Sequence, residues 1–145
     1  MTFSSTYDAG YQPPHRTFNI GGSASGRCVD MGSANPGSGT YTLLWDCNGG
    51  NNQVWSYDES TKQVSGTGSL ANLCLDPAGS SAGSQVYMKT CDTSNSYFRW
   101  TLTSGGHLIN DNTGDCLDAD GGGTGNGTAL IIWPCGTQSN QTWWF

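Results

Sequence analysis

The sequence predicts an all-β fold built from three equivalent units, and three observations carry that prediction. The first is composition. Of 145 residues only 34% are hydrophobic and 11% charged, while 22 are glycine. Good helix formers are few and Gly, Ser, Thr and Asn are many, the pattern of short strands joined by turns. The second is internal repetition at a period of about 45 residues, which signals one supersecondary unit used several times around a shared core. The third is an even set of six cysteines that falls in register with the repetition.

The units align as follows. The first reads "CVDMGSANPGSGTYTLLWDCNGGNNQVWSY" from Cys28, the second "CLDPAGSSAGSQVYMKTCDTSNSYFRWTL" from Cys74, and the third "CLDADGGGTGNGTALIIWPCGTQSNQTWWF" from Cys116. Each runs Cys, an aliphatic residue, Asp, a Gly/Ser-rich turn, an apolar strand, Cys, a polar loop and an aromatic closing strand. A further strand-like stretch precedes each unit: "RTFNI", "KQVSG" and "GHLIN". The closing tryptophans Trp55, Trp100 and Trp143 lie 45 and 43 residues apart. A propeller is the rival architecture but needs at least about four blades. Three units of about four strands predict a β-trefoil, a six-stranded barrel capped by three hairpins. One domain is expected over 1–145, with repeats at about 16–57, 62–102 and 105–145. Residues 1–15 read as an N-terminal extension or a lead-in to the first strand, with "YQPPHR" as linker remnant or strand.

By count alone the cysteines allow fifteen pairings. Repetition selects Cys28–Cys47, Cys74–Cys91 and Cys116–Cys135, each closing an equivalent loop; free buried thiols are the alternative. No Cys-x-x-Cys occurs and His15 and His107 are far apart, so no zinc site is read. Disulfides point to an oxidising, extracellular setting, although the N-terminus shows no basic-then-apolar leader. The charge of −6 with five Lys and Arg leaves no basic stripe for nucleic acid. Membrane insertion is not expected, since no long apolar run exists.

The Cys-x-Asp openings, the "LLWDC" and "IIWPC" strands, and the "NQVW" and "NQTW" closings resemble the ricin-B-type lectins, or QxW trefoils, over about residues 16–145. That resemblance implies sugar binding, with galactose or N-acetylgalactosamine as ligand. A sugar site needs a carboxylate or amide for paired hydroxyls and a flat ring for the apolar C–H face. The resemblance places those roles in repeat one on Asp30 as acceptor, Trp45 as stacking ring, Asn52 as donor and Gln53 as orienting amide. In repeat three it places them on Asp118, Trp133, Asn140 and Gln141. Both repeats lack the Gln that many relatives carry four residues before the second Cys; Leu43 and Ile131 stand there. Alternation puts Leu43 and Trp45 on one face and Leu44 on the other without deciding which is inside.

Repeat two keeps Asp76 but has Lys89 at the stacking position, and Tyr97 and Phe98 replace the Asn-Gln pair. It reads as a structural remnant, with Asp76 and Tyr87 as secondary candidates. The closing tryptophans are retained in all three repeats and are therefore assigned to the core. Trp144 aligns with Ser56 and Thr101, so it is expected to be the exposed ring of the tail.

Other motifs fail. "GSSAG" (79–83) matches a nucleophile elbow but lacks the α/β sheet it requires. "DADGGGTGNGTA" from Asp118 has Gly122 and Ala129 where a calcium loop needs ligands. Asp30 and Asp118 sit in different repeats and do not form a glycosidase pair. Sequons occur at Asn126 and Asn140, the former being the better acceptor. The expectation is therefore a non-catalytic, multivalent sugar-binding protein without cofactor or metal, of unspecified oligomeric state. The alternatives are a binding appendage of a glycoside hydrolase acting on xylan or galactan, and a trefoil protease inhibitor.

Overall fold

The computed structural model describes residues 17–145. The extension expected over 1–15, and Arg16 at the head of "RTFNI", lie outside the described residues. Among the described residues twelve short strands occur: β1 (Gly21–Gly22), β2 (Cys28–Asp30), β3 (Leu43–Trp45), β4 (Ser56–Asp58), β5 (Gln63–Ser65), β6 (Leu73–Pro77), β7 (Val86–Thr90), β8 (Trp100–Leu102), β9 (Leu108–Asn110), β10 (Cys116–Ala119), β11 (Leu130–Trp133) and β12 (Trp143–Trp144). They pair into three antiparallel four-stranded sheets, ordered β4-β5-β6-β7, β8-β9-β10-β11 and β12-β1-β2-β3. Each sheet begins with the closing strand of the preceding unit. The chain's last strand therefore completes the sheet that its first strand opens, and the ring of three units is closed as in a β-trefoil.

Neighbouring units are stitched by one repeated pair of backbone bonds. Gly39 N donates to Met88 O, Gly83 N to Ile132 O and Gly127 N to Leu44 O, at 2.6, 2.7 and 2.8 Å. The return bonds run from Met88 N to Thr40 O, Ile132 N to Ser84 O and Leu44 N to Thr128 O. The turn of each unit is thus tied to the middle of the next unit's platform strand.

The core is filled by Ile20, Val29, Leu44, Val64, Leu75, Met88, Leu102, Leu117, Ile132 and similar residues, with the closing tryptophans among them. Leu44 is buried while Trp45 is exposed, which resolves the face of β3. A buried indole needs a partner for its N–H. Trp55, Trp100 and Trp143 each donate Nε1 to a backbone carbonyl, those of Val29, Leu75 and Leu117, at 3.0–3.1 Å. These are the aliphatic residues inside the three Cys-x-Asp motifs, so the two ends of each repeat are fastened by one bond. Cys28–Cys47, Cys74–Cys91 and Cys116–Cys135 are bridged.

The first unit departs from the "RTFNI" expectation. Phe18 makes an isolated bridge with Trp55, and the strand lies later, at β1. Its register partner explains why. Gly21 pairs with Trp144, and a Cβ at Gly21 would lie 1.8 Å from Trp144 Cζ2. The indole lies where a side chain would stand, and the other two units have Ser65 opposite Ser56 and Ile109 opposite Thr101. Trp144 is exposed, as expected, and it now has a role: it covers a glycine strand at the seam.

Candidate functional site

Each repeat carries one cleft, on the strand pair formed from the Cys-x-Asp segment and the platform strand. In repeat one, Asp30 pairs with Leu43 and Cys28 with Trp45 across β2 and β3. This register sets the carboxylate and the ring on one face of the hairpin. The cleft is about 240 Å³ and is lined by Asp30, Ser33, Leu43, Trp45, Asn48 and Asn52 among others. Asp30 is 5% exposed and Trp45 43%: a buried acceptor beneath a solvent-facing ring.

A buried carboxylate is costly unless it is hydrogen-bonded. Asp30 Oδ1 accepts from Gly32 N at 2.7 Å and from Asn52 Nδ2 at 3.1 Å. Its Oδ2 accepts from Gln53 Nε2 at 2.9 Å. Gly32 holds φ +86°, and a Cβ there would lie 2.0 Å from Tyr41 O, so this Asp-anchored turn requires glycine. Gln53 is fully buried and makes two further bonds. Its Nε2 donates to Asp46 O at 3.0 Å and its Oε1 accepts from Asn48 N at 3.0 Å. One amide therefore holds the carboxylate and the residue next to the exposed Trp45.

Repeat three repeats the arrangement. Asp118 pairs with Ile131 and Cys116 with Trp133, and the cleft of about 280 Å³ is lined by Asp118, Asp120, Ile131, Trp133, Gln138 and Asn140 among others. Asp118 Oδ1 accepts from Asn140 Nδ2 at 3.0 Å and Oδ2 from Gln141 Nε2 at 2.8 Å. Gln141 also donates to Pro134 O and accepts from Gly136 N. The backbone donor of repeat one is missing here: the amide of Asp120 goes to Ala129 O instead. Burial raises the Asp118 pKa above the usual carboxylate value. Gln141 pulls it back, neighbouring Asp120 adds to the rise, and Asn140 opposes it.

The asparagines are bonded within the protein. Asn52 Nδ2 donates to Asp30 and to Ser33 O, and Asn140 Nδ2 to Asp118 and to Ala119 O. In both residues the two amide hydrogens are engaged inside the protein. The sequon asparagines are likewise engaged. Asn126 Nδ2 donates to Asp46 Oδ2 while its Oδ1 accepts from Arg27 Nε and Asp46 N. A glycan on Asn140 would replace one of its two donated amide hydrogens and cost one of these bonds, whereas Asn126 donates a single hydrogen and could keep its bonds.

Repeat two also has a cleft, of about 300 Å³, lined by Asp76, Ser80, Tyr87, Asn95 and Tyr97 among others. Tyr87 lines it directly, opposite Asp76 in the ladder, without any shift of the loop. Phe98 replaces the glutamine, is buried, and can donate nothing. Asp76 Oδ1 is accordingly a buried acceptor without a partner. Burial pushes the Asp76 pKa up to about 6, with Lys89 pulling the other way. Tyr97 and Asn95 line the cleft without having been singled out from sequence; the doubled aromatic position in "YFRW" was the available signal. Among the described residues no group of three His, Cys, Asp or Glu could hold a metal ion.

Comparison with known proteins agrees with this architecture. A family model, the ricin-type β-trefoil lectin domain, matches residues 16–143. The agglutinin from Abrus precatorius aligns at 25% identity and a TM-score of 0.78, covering 94% of this chain and 51% of that one. A non-toxic homologue of type II RIPs from Momordica charantia, solved with α-methyl-D-galactoside, aligns at 25% identity and a TM-score of 0.75, covering 91% and 48%. Serine protease 1 of Rarobacter faecitabidus is 30% identical over 118 residues, 81% of this chain and 21% of that protein. The chain thus spans about a fifth of the length of that curated relative. With three closed units, paired cysteines and a family match over nearly the whole chain, this protein belongs to the ricin-type β-trefoil lectin domain family.

Proposed function

We propose that the chain is a non-catalytic module that binds galactose- or N-acetylgalactosamine-type glycans through the clefts of repeats one and three. The observation that carries the reading is the doubled constellation: a buried carboxylate gripped by an Asn-Gln pair under an indole about half exposed, Trp45 at 43% and Trp133 at 45%. Asp30 and Asp118 would accept from vicinal hydroxyls, and Asn52 and Asn140 would accept from a further hydroxyl through their carbonyls. Trp45 and Trp133 would cover the C–H face, and Gln53 and Gln141 would orient. The axial hydroxyl of galactose leaves one face of the ring as continuous C–H, which suits a flat indole. The galactoside bound by the Momordica relative supports the same sugar class.

Each shallow site would bind with a dissociation constant on the order of 0.1 to 1 mM. Two sites on one rigid body raise avidity on a glycan-coated surface by roughly 10² or more when the geometry permits. The three disulfides fit a secreted setting for such a role. A glycan array with the parent and an Asp30→Asn, Asp118→Asn double variant tests the reading. Galactoside binding falls at least tenfold in the variant; equal binding by both proteins overturns both sites.

A second reading has its own support. The curated relative carries its matching segment within a protein about five times as long. Under that reading the chain is the targeting appendage of an enzyme acting on a polysaccharide such as xylan or galactan. Retention on the insoluble polysaccharide without agglutination of cells favours the appendage; agglutination favours the free lectin.

A further inference from the structure

We infer that the repeat-two cleft is a separate binding site for a ligand bearing an ammonium group, which Asp76 pairs with and tyrosine rings flank. Three observations converge on it. First, the cleft has the size of the other two, about 300 Å³ against 280 and 240 Å³. Repeat two lost the amide pair and kept the cavity.

Second, the aromatic surface has been rebuilt rather than removed. At the equivalent inter-unit bridges, repeats three and one carry Gln85–Ile131 and Ala129–Leu43, whereas repeat two carries Tyr41–Tyr87. The two rings lie 5.6 Å apart, and Tyr41 is 48% exposed. Tyr97, at the position of Asn52, supplies a third ring. Packing alone does not call for three tyrosines here, because non-aromatic residues serve at the same positions elsewhere: Gln85 and Ala129, Leu43 and Ile131, Asn52 and Asn140.

Third, Asp76 has a buried acceptor that no protein group hydrogen-bonds, and its charge is offset only coulombically, by Lys89. It is 6% exposed, its Oδ1 has no partner, and burial raises its pKa to about 6. Asp30 and Asp118 have amides for this purpose and Asp76 has none. A neutral hydroxyl would supply one hydrogen bond and leave the charge. An ammonium supplies the bond and cancels the charge, and charge-assisted bonds are about twice as strong as neutral ones. The ring faces add cation–π attraction. The protein already shows that attraction: Lys89 Nζ lies over the Tyr87 ring, 5.5 Å from its centroid.

The site does not depend on the galactoside reading, and the test separates the two. In the Asp30→Asn, Asp118→Asn background, D-glucosamine and its neutral analogue N-acetyl-D-glucosamine are titrated at pH 7.5 and followed by backbone amide NMR shifts. Glucosamine is expected to shift the amides of residues 76, 78–80, 87 and 95–97 and to bind at least tenfold more tightly than the N-acetyl form. Asp76→Asn is expected to abolish that difference. Tyr87→Leu, which installs the Leu43 side chain of repeat one and so keeps the fold, is expected to weaken glucosamine at least threefold. Equal affinity for the two sugars, shifts elsewhere, no shifts, or indifference to Asp76→Asn overturns the proposal. Failure of galactoside binding in the parent overturns only the reading for repeats one and three.

Discussion

Gln53 and Gln141 do the positioning that the neighbouring carboxylates cannot do for themselves. Each bonds its aspartate, a carbonyl beside the stacking tryptophan and a loop amide. Gln141→Ala is therefore expected to lower galactoside affinity at repeat three about tenfold and stability by roughly 1–3 kcal/mol, read by titration and urea denaturation. The two acceptors are also unequal. Asp30 has a backbone donor from Gly32 that Asp118 lacks, so Asp118 keeps more lone-pair capacity for ligand hydroxyls. Asp118→Asn is expected to cost more affinity than Asp30→Asn, measured with single-site variants. At Asp76 the raised pKa has a stability consequence. Between the ordinary carboxylate pKa of 3.8 and about 6 the folded state binds the extra proton, so stability falls as pH rises through that window. Lys89 and Tyr87 are the titratable groups coupled to it. Asp76→Asn removes the penalty and is expected to stabilise on the order of 1 kcal/mol at pH 7.5 and little at pH 4, seen in paired urea melts.

Among the elements, the β1–β12 pair is the least regular and the most exposed to error. Two glycines form β1, and their strand is covered by an indole from the other end of the chain. Gly21→Val is expected to destabilise by about 1–2 kcal/mol by evicting Trp144. In a Trp144→Ala background the same change becomes neutral or favourable, because valine regains strand propensity and the clash is gone. A double-mutant cycle by chemical denaturation reads the coupling; additive effects would mean the ring does not rest on Gly21. The platform strands are more uniform. In β3 and β11 the alternation sets Leu44 and Ile132 inward and Trp45 and Trp133 outward, and β7 follows it with Met88 inward.

At the scale of the molecule, stability comes from closing the ring and from three staples. Each bridge spans 17 or 19 residues of chain and is worth about 3 kcal/mol on the loop-entropy model. Replacing Cys74 and Cys91 by serine is expected to lower stability by that amount while leaving intact the galactoside binding proposed for the other repeats. The measurement is a denaturation curve beside a galactoside titration. The repeated ties from Gly39, Gly83 and Gly127 to the next unit hold each turn against its neighbour's platform strand, which is how Tyr41 of repeat one comes to pack on Tyr87 of repeat two.

Repetition is legible in one dimension, so the sequence by itself determined the three units, the cysteine pairs and the equivalence of Trp55, Trp100 and Trp143. It also aligned Asp30 with Asp118 and Asn52 with Asn140, because those residues hold fixed offsets from the cysteines. Three things needed the tertiary structure. Period-two alternation names two faces without saying which is inside, and only burial of Leu44 settled that for Trp45. The direction of the asparagine amides depends on partners such as Ser33 O and Ala119 O, which offsets do not encode. The Gly21–Trp144 contact and the Tyr41–Tyr87 pair join different repeats or opposite chain ends. Such contacts exist only once the ring has closed, and neither residue's own neighbourhood in the chain records the other.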